Sequence, residues 1–544
     1  MPVKRSRSWL TIALLLATSA LPIALPVTAS ATSGSSDSNV YVDAAAGNDG
    51  NPGTSARPFR TIGKAAEKAV ANSRHGTATT IVIQPGTYRE AISLGSAAQQ
   101  QQASITFQSA EAGTVFVSGA DVWAGWKSDA EVGAYSHSLP FQSGACSTPQ
   151  NWPNNLAPIV LRREMIIVND QVLAQVVSRG ELADNTFFVD DAAGEIVIRP
   201  PANTDMTRAK IEVAVRPKLF ESHGYDNLVL HGLVFTKAAS CAPTAAISIY
   251  GGTGDRVDNV TASWNSWAGI LLNNVANATV SHLRAVHNGG SGLLGYKVKN
   301  SQLTDVETSA NNWRGIKGNF HDFELAGAKF LRTHDVQLVN FKARENNTFG
   351  LWFDTDDANI VIKNSSFSRN LFYGIFLEAN QGPIAIQDSK FCENGAEGVR
   401  VQNSDRVTLS GNIFYGNQVA QIFVDGRMSA RNGKDWESGE PFAAAGHNLT
   451  LQGNTFVATD PGQVLFGTSQ SSPDNSRGFF TTLSSDGNTF YHTATTGILQ
   501  YDAGGINHKA RNLDLDSWRN STGQDVHSSF VAPSPDAAGV CASL

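Results

Sequence analysis

Apolar and polar residues alternate in short stretches that recur about every two dozen residues through the middle of the chain. One stretch in each repeat is rich in β-branched residues, as at 360–362 (Ile-Val-Ile) and 407–409 (Val-Thr-Leu). A second stretch begins with glycine, as at 350–353 (Gly-Leu-Trp-Phe). Alternation with a period of two is typical of β-strands, and a fixed period of this length is typical of stacked repeats. The pattern therefore predicts several short strands in each repeat rather than pairs of helices.

A column of asparagines sets the register of these repeats. Seven asparagines each lie four residues before a landmark residue, at landmark intervals of 23, 23, 35, 24, 24 and 23 residues. The asparagines are Asn265, Asn288, Asn311, Asn346, Asn370, Asn394 and Asn417, and the landmarks are Gly269, Gly292, Gly315, Gly350, Gly374, Gly398 and Gln421. Similar multi-stranded coils stacked on one another predict an all-β, right-handed parallel β-helix of the pectate-lyase-like type, because parallel crossover connections are nearly always right-handed. We expect the asparagine amides to bond to one another along the column.

The repeats occupy only part of the chain. Residues 1–31 have basic residues, an apolar run and an Ala-Ser-Ala site, which predicts a secretory signal peptide and a secreted, extracellular protein. The other predicted regions are a disordered linker (32–40), an N-terminal cap with the first coils (41–120), an inserted β-rich module (121–217), the main β-helix (218–460) and C-terminal coils, loops and tail (461–544). A short helix near 61–71 is the candidate cap, since a solenoid needs its open end covered.

Charge and cysteine content narrow the possible partners. A formal net charge of −7, with no cluster of basic residues, argues against a nucleic-acid partner. After the signal peptide no stretch is apolar and long enough to anchor the chain in a membrane. The four cysteines permit three pairings into two disulfides, and buried free thiols are an equal alternative. Their wide spacing has no metal-ligand signature, and no cofactor is predicted.

One outward-facing column carries the candidate chemistry. Counting from each landmark, the first and third residues are apolar and face the core, so the second and fourth face outward. On this basis Asp354 and Glu378 lie on adjacent coils, Trp352 and Phe376 lie beside them, and the flanking positions are Lys317 with Asn319 on one side and Arg400 with Gln402 on the other. We predict that these flanking and aromatic residues bind substrate. Trp352 would offer a flat apolar face to a sugar ring.

Two stacked carboxylates suit hydrolysis of a glycosidic bond. Side chains on neighbouring strands lie about 5 Å apart, close to the roughly 5 to 5.5 Å of a retaining glycosidase and below the separation of an inverting one. Mutual repulsion should push their two pKa values apart, leaving one ionised nucleophile and one protonated acid.

A family resemblance assigns these roles to individual residues. Residues 350–354 (Gly-Leu-Trp-Phe-Asp) and 378–383 (Glu-Ala-Asn-Gln-Gly-Pro) resemble the catalytic signature of glycoside hydrolase family 120, the β-helical β-xylosidases. The resemblance implies that Asp354 is the nucleophile and Glu378 the acid/base, and we predict that Asn380 and Asp356 bind substrate. The chain departs from the family in its Asp-to-Glu spacing of 24, one longer than expected, and in having Thr355-Asp356-Asp357 after the nucleophile instead of an aromatic residue.

Two other functions remain open from the residues alone. A polysaccharide lyase or uronate epimerase would use Lys317, Arg400 or Tyr296 as the base, with Ca²⁺ held by the acidic residues 354, 356 and 357. A non-catalytic glycan-binding solenoid would use the aromatic residues to bind an oligo- or polysaccharide.

Overall fold

The chain coils around a single axis, and each full coil contributes one strand to each of three parallel sheets. In the computed structural model the described residues are 37–97, 100–129, 133–139, 146–148, 152, 155–317, 324–426, 430–494, 498–504, 510–531 and 541. One coil runs through Arg256–Asp258, Thr261–Ser263 and Ala268–Asn273 before the next begins at Thr279. We call the sheet that contains Arg256–Asp258 sheet 1, the sheet that contains Ala268–Asn273 sheet 2, and the sheet that contains Thr261–Ser263 sheet 3. The predicted right-handed parallel β-helix is confirmed.

Each sheet extends over most of the length of the solenoid. Sheet 1 contains Ser38–Val42, Thr79–Ile83, Ile105–Ser109, Val229–His231, Arg256–Asp258, Thr279–Ser281, Lys299–Thr304, His334–Val339, Ala358–Lys363, Ile384–Gln387, Val407–Ser410, Thr450–Gln452 and Ser484–Asp486. Sheet 2 contains Ile92–Ser96, Phe220–His223, Ala245–Tyr250, Ala268–Asn273, Leu293–Tyr296, Ala326–Leu331, Phe349–Asp354, Ile375–Glu378, Glu397–Gln402, Ala420–Gly426, Val464–Gln470, Leu499–Tyr501 and Arg511–Leu513, of which the last is antiparallel. Sheet 3 has two parts, Gly86–Tyr88, Val115–Ser118, Leu233–Thr236, Thr261–Ser263 and Arg284–Val286, then Lys342–Arg344, Ser366–Ser368, Lys390–Cys392, Ile413–Tyr415, Thr455–Val457, Thr489–Tyr491 and Ser529–Val531.

The asparagine column forms a continuous buried ladder. Each side-chain amide donates to the amide oxygen of the next asparagine, at 2.8 to 3.1 Å from Asn265 through to Asn417. At the end of the ladder, Asn417 donates to Gln421 Oε1 at 2.8 Å, so the residue that replaces a landmark glycine terminates the column. All seven asparagines are at most 1% exposed. Because buried amides need partners, the ladder fixes how each coil sits on the next.

A stack of phenylalanines runs through the core beside this ladder. Phe341, Phe367, Phe391, Phe414, Phe456 and Phe490 pack ring on ring, with centroids 4.7 to 6.2 Å apart. They lie in the single large hydrophobic core that follows the axis from Val40 to Trp518.

The assignment of Gly315 as the third landmark is wrong. Strand Ala326–Leu331 pairs with Phe349–Asp354, which aligns Lys329 with Trp352. Gly327 therefore occupies the landmark position, and the extra residues lie between Asn311 and this strand. Both glycines follow Asn311, and only the backbone pairing distinguishes them.

Both ends of the solenoid have helices. Helix Ile62–Arg74, capped by the Thr61 side chain, buries Ile62 and its alanines against the first strands, as the cap prediction required. Helices Pro473–Thr482 and Leu515–Thr522 lie near the other end of the chain. No helix in the described ranges is long and apolar enough to cross a membrane.

The first strand begins earlier than the sequence indicated. Ser38 pairs with Thr79, so the predicted disordered linker is wrong at residues 38–40. The predicted signal peptide and residues 32–36 lie outside the described residues.

Two sheets outside the solenoid make up the inserted module. One contains Gln171–Val172, Ile166–Val168, Ile211–Ala214 and Ala120–Val122, and the other contains Ala174–Val176, Thr186–Asp190, Glu195–Arg199, Tyr135–Ser138 and Lys127–Ser128. Short 3₁₀ helices occur at Pro158–Leu161 and Arg179–Glu181. The four cysteines form the disulfides Cys146–Cys241 and Cys392–Cys541, and the first of these joins the module to the β-helix.

Replacing Asn370 by alanine tests the ladder. Its side chain accepts from Asn346 and donates to Asn394 Oδ1 at 2.9 Å and to Ala343 O at 3.0 Å. Alanine leaves several buried groups unpaired, so we expect the free energy of unfolding in urea to fall by at least about 3 kcal/mol. Asn39→Ala, which removes an exposed asparagine from an extended strand, is the control and should change the free energy of unfolding little. Equal losses in the two variants would contradict the role of the ladder.

Candidate functional site

Asp354 and Glu378 lie directly opposite each other at the ends of neighbouring strands. The register pairs Leu351 with Ile375 and Asp354 with Glu378. Leu351 and Ile375 point into the core and are fully buried, whereas the two carboxylates point out of the coil. Neighbouring strands are about 4.8 Å apart, so the fold itself sets a short distance between these carboxylates.

Glu378 is held in a mostly buried environment. Burial and then the negative charge of Asp354 raise its pKa to about 7, against the opposing charges of Arg431 and Lys329. Glu378 Oε1 accepts hydrogen bonds from Gln402 Nε2 at 3.2 Å and from the Arg431 guanidinium at 3.3 Å. Near neutral pH this group can therefore both give and take a proton.

Asp354 has a different environment. Lys329 Nζ lies 3.0 Å from its Oδ2, and the Thr355 hydroxyl donates to its Oδ1 at 2.9 Å. The same ammonium group lies 3.6 Å from the centre of the Trp352 ring. A buried lysine thus compensates one carboxylate of the pair, and the other is left to titrate near neutrality.

Trp352 and Phe376 point out of the coil but are covered by neighbouring side chains. They are 1% and 7% exposed, and their ring centroids are 5.2 Å apart. Phe349, Phe372 and Tyr373 pack around them in a separate aromatic cluster. The prediction that Trp352, with Phe376 beside it, offers an open face to a sugar ring is wrong, because the neighbouring aromatic side chains of this cluster cover both rings.

A cavity of about 440 Å³ lies beside Asp354. Its floor is formed by the outward positions of the coils that precede Asp354, and its wall includes Trp152 from the inserted region and Pro243. The lining residues are Trp152, Pro243, Leu271, Asn273, Leu294, Gly295, Tyr296, Glu324, Lys329, Leu331 and Asp354. Apolar side chains with a few convergent polar groups are typical of small-molecule sites.

Glu324 and Lys329 lie in the long interval between Gly315 and Gly350, and the sequence analysis gave neither of them a place in the site column. Burial, reinforced by the charge of Asp354 and opposed by Lys329, raises the pKa of Glu324 to about 7. Lys329 occupies the column position that had been assigned to Lys317. Aligning Gly327 instead of Gly315 with the landmarks would have placed Lys329 beside Trp352.

The flanking residues of the predicted column have varied outcomes. Lys317 is exposed and lies in the insertion, outside the column, because of the corrected register. Asn319 lies outside the described residues. Arg400 is mostly buried and is paired with Glu397 and Asp425, so these carboxylates compensate its charge. Gln402 contacts Glu378 directly.

Asn380 belongs to a second ladder, at the turn after sheet 2. Its amide donates to Phe353 O at 3.0 Å and its oxygen accepts from Asp357 N at 3.0 Å, with no part of the side chain exposed. Asp357 has the equivalent place one coil earlier and accepts from Thr333 N at 2.7 Å. The prediction that Asn380 binds substrate is therefore wrong, because all of its bonds are structural.

The three carboxyl groups at 354, 356 and 357 do not converge. Asp354 turns to Lys329, and Asp357 is buried in the turn ladder. Asp356 is 1% exposed and accepts from Gln381 Nε2 and Trp436 N, each at 2.8 Å, so it binds protein groups instead of substrate. These geometries do not support the Ca²⁺ site of the lyase hypothesis.

Comparison with known families agrees with the observed coil. Two overlapping matches, over residues 245–391 and 373–516, assign half of the chain to the family described as a right-handed β-helix region. The chain belongs to this right-handed β-helix family. Residues 45–94 of the β-helix protein also match a family described as a protein of unknown function, DUF1565. The comparison with curated proteins gave no match.

Solved structures resemble the chain to different degrees, all at low sequence identity. XylC in complex with xylose has a TM-score of 0.66 and 16% identity, and the alignment covers 83% of each chain. A structure described as a glycoside hydrolase has a TM-score of 0.47 and 11% identity, covering 79% of this chain and 96% of that one. The A-module of Azotobacter vinelandii mannuronan C-5 epimerase AlgE6 has a TM-score of 0.46 and 14% identity, covering 87% and 94%. The likeness to XylC supports the fold of the β-helix protein and, at this identity, the fold alone.

Replacing Asp357 by asparagine tests the turn ladder next to the site. Burial holds the pKa of Asp357 well above its usual range, and its Oδ2 has no hydrogen-bond partner in the described part of the chain. A raised pKa stabilises the fold at acidic pH, and this stability is lost as pH rises through the folded pKa. An amide does not titrate and can donate as Asn380 does, so Asp357→Asn should add about 1 to 3 kcal/mol of unfolding free energy near pH 7.

The measurement is thermal unfolding at acidic and neutral pH. The gain in unfolding free energy should shrink under acidic conditions, where Asp357 is protonated in the unfolded chain as well as in the folded one. Asp170→Asn, at an exposed aspartate, is the control. An unchanged or lower stability of Asp357→Asn at neutral pH would show that Asp357 is not a neutral member of the ladder.

Proposed function

We propose that this protein is a retaining glycoside hydrolase, with Asp354 as the nucleophile and Glu378 as the acid/base. The observation that carries the proposal is the direct pairing of these two residues on adjacent strands in different electrostatic environments. Retaining enzymes need carboxyl groups about 5 to 5.5 Å apart, and one strand spacing supplies that separation. An inverting enzyme needs a wider gap for water.

The environments match the two roles. Lys329 balances the negative charge of Asp354, which suits a carboxylate that attacks the anomeric carbon. Glu378, with its pKa near 7, gives its proton to the departing glycosidic oxygen as that bond breaks. The resulting Glu378 carboxylate then takes a proton from water, which attacks the anomeric carbon and releases Asp354.

The cavity supports a neutral sugar as the substrate. Among the described residues that line the cavity, one side chain, that of Lys329, is cationic. It lies beside the carboxyl groups of Asp354 and Glu324, so a polyuronate would meet little uncompensated positive charge. Glu324 and Tyr296 present oxygen atoms that can bond to hydroxyl groups, and Leu271 and Leu294 form an apolar floor. The proposed substrates are β-xylosidic or related plant cell-wall oligosaccharides, consistent with the fold shared with XylC and with the family 120 resemblance. Secretion of the enzyme is part of this proposal.

Product analysis tests the reaction and its stereochemistry. We expect the purified protein to release sugar from an aryl β-xyloside with retention of configuration, followed by proton NMR of the anomeric signal. With an aryl xyloside that has a poor leaving group, Asp354→Asn and Glu378→Gln should each lose at least about a hundredfold in kcat/KM, because each removes a group needed to break the glycosidic bond. Asp305→Asn, at an exposed aspartate, is the control and should act like the wild type. Inverted product, or ultraviolet absorbance from an unsaturated uronate, would refute the proposal.

The pH dependence tests the role of Glu378 as the acid. Because Glu378 must be protonated to donate, kcat/KM should fall as pH rises through its pKa of about 7. The measurement is the pH profile of kcat/KM with an aryl xyloside that has a poor leaving group. With an activated leaving group, which needs little protonation, the alkaline fall should be weaker. A profile with its alkaline fall near the ordinary pKa of a glutamate, about 4.3, would argue against a buried acid.

A further inference from the structure

A hairpin leaves the solenoid and folds back along its side toward Glu378. The chain departs after strand Ala420–Gly426 and returns at strand Thr450–Gln452. Between them, Arg431–Lys434 and Pro441–Ala444 pair antiparallel. At the base of the hairpin, Asp405 Oδ1 accepts from Ala445 N at 3.0 Å and from His447 N at 2.8 Å. We call residues 431–444 the arm.

The arm contacts four consecutive coils. From its base, Arg431 contacts Glu378 and Asp435 Oδ2 accepts from Gln381 Nε2 at 2.6 Å. At its tip, Trp436 N donates to Asp356, and Glu437 contacts both His334 and Lys299. The arm thus reaches from the Glu378 coil down past the coils that precede it.

His334 lies between the tip of the arm and the coil. The imidazole is 4% exposed, and both of its nitrogens face oxygen atoms. Nδ1 lies 3.2 Å from Glu437 Oε2, and Nε2 lies 3.0 Å from the backbone oxygen of Asp356. Only an imidazolium can donate from both nitrogens, so this geometry requires the charged form.

The charges around His334 also favour its protonated form. Nε2 lies 3.6 Å from Asp356 Oδ1 and 3.9 Å from Asp435 Oδ2. Burial opposes its charge, but hydrogen bonds to Asp356 and Glu437 raise the pKa of His334 above its ordinary value. Burial likewise opposes the charge of Asp435, yet hydrogen bonds from Ser438 and Gln381 lower its pKa to about 2. Two lysines also lie at the tip: Lys299 pairs with Glu437, and Lys297 Nζ lies 5.4 Å from the centre of the Trp436 ring.

We propose that the arm is a positioning element for the acid/base, held against the coil by charged His334 so that Arg431 stays on Glu378. The proposal rests on the catalytic role of Glu378 proposed above. Loss of the His334 proton turns one donor into a lone pair that faces an oxygen atom, and removes the positive charge that lies between Asp356, Asp435 and Glu437. The tip then separates from the coil, and Arg431 no longer balances the charge of Glu378.

Hydrogen exchange tests, without any substrate, whether charged His334 holds the arm against the coil. We call this contact the clamp. We expect the amides of 430–446, followed by mass spectrometry and corrected for intrinsic rates, to lose at least about tenfold in protection between pH 6 and pH 9. His334→Gln is neutral and should show the low protection at both pH values. The control is His282→Gln, which removes a different histidine–aspartate pair. His282 is exposed and lies beside Asp258 on a coil away from the arm, so this variant should behave as the wild type.

The pH profile tests whether the arm acts on Glu378. Arg431→Ala removes a charge that lowers the pKa of Glu378, so the alkaline fall of kcat/KM should move up by about half a pH unit or more. Arg431→Lys should largely restore the wild-type profile. His334→Gln should shift the profile in the same direction, and the double variant should shift no further than Arg431→Ala alone, because both changes act through one contact.

The outcomes separate this inference from the proposed function. Protection of the arm that is independent of pH, or unchanged in His334→Gln, overturns the clamp. Protection that is lost on adding EDTA at pH 6 also overturns it, since a bound cation would then hold the tip. Separate, additive shifts of the pH profile overturn the link between His334 and Arg431. The expected exchange behaviour in a wild-type protein that turns over no glycoside would refute the hydrolase while leaving the clamp supported.

Discussion

Parallel strands stacked in register, one spacing apart, are the constraint on which the rest of this structure depends. Because each coil lies directly above its neighbour, equivalent residues form columns, and a polar residue in a buried column must bond to its own counterpart. The ladder from Asn265 to Asn417 satisfies that condition, and the phenylalanine stack fills the space beside it. The same spacing that allows amides to pair forces Asp354 and Glu378 together. Burial, and then repulsion between like charges, raise the pKa of Glu378 to about 7, while Lys329 balances the charge of Asp354.

The repeat allowed much of the fold to be predicted from sequence. A repeated interval and alternating apolar residues are local features, so the coil, its strands and the outward direction of Asp354 and Glu378 could all be read from single repeats. The register failed at one coil, where Gly315 and Gly327 both follow Asn311. There the landmark pattern is satisfied twice, and only the pairing of Ala326–Leu331 with the next strand decides which glycine is used. That error hid Lys329 from the predicted site.

Other features depend on contacts between distant parts of the chain. The direction in which Trp352 points follows from alternation, but its burial depends on Phe349, at the start of the same strand, and on Phe372, in the turn before the next strand. Pairing of Cys146 with Cys241 depends on where the inserted module meets the coil. Arg431 approaches Glu378 only because a hairpin, whose direction the sequence does not indicate, folds back over four coils. No periodic pattern carries these positions, since each arises outside the repeat.

The insertions have a consequence for how such a protein can change. The module that supplies Trp152, the segment before Ala326 that supplies Glu324, and the hairpin that supplies Arg431 each leave the stack at a different turn. None of them interrupts the bonding between strands Phe349–Asp354 and Ile375–Glu378. The distance between the two carboxylates therefore belongs to the repeating part of the chain, and the shape of the space around them belongs to its irregular parts. Lengthening or exchanging one insertion can remodel the cavity beside Asp354 while Asp354 and Glu378 keep their separation, so the shape of the cavity and the spacing of the carboxylates can evolve independently in this scaffold.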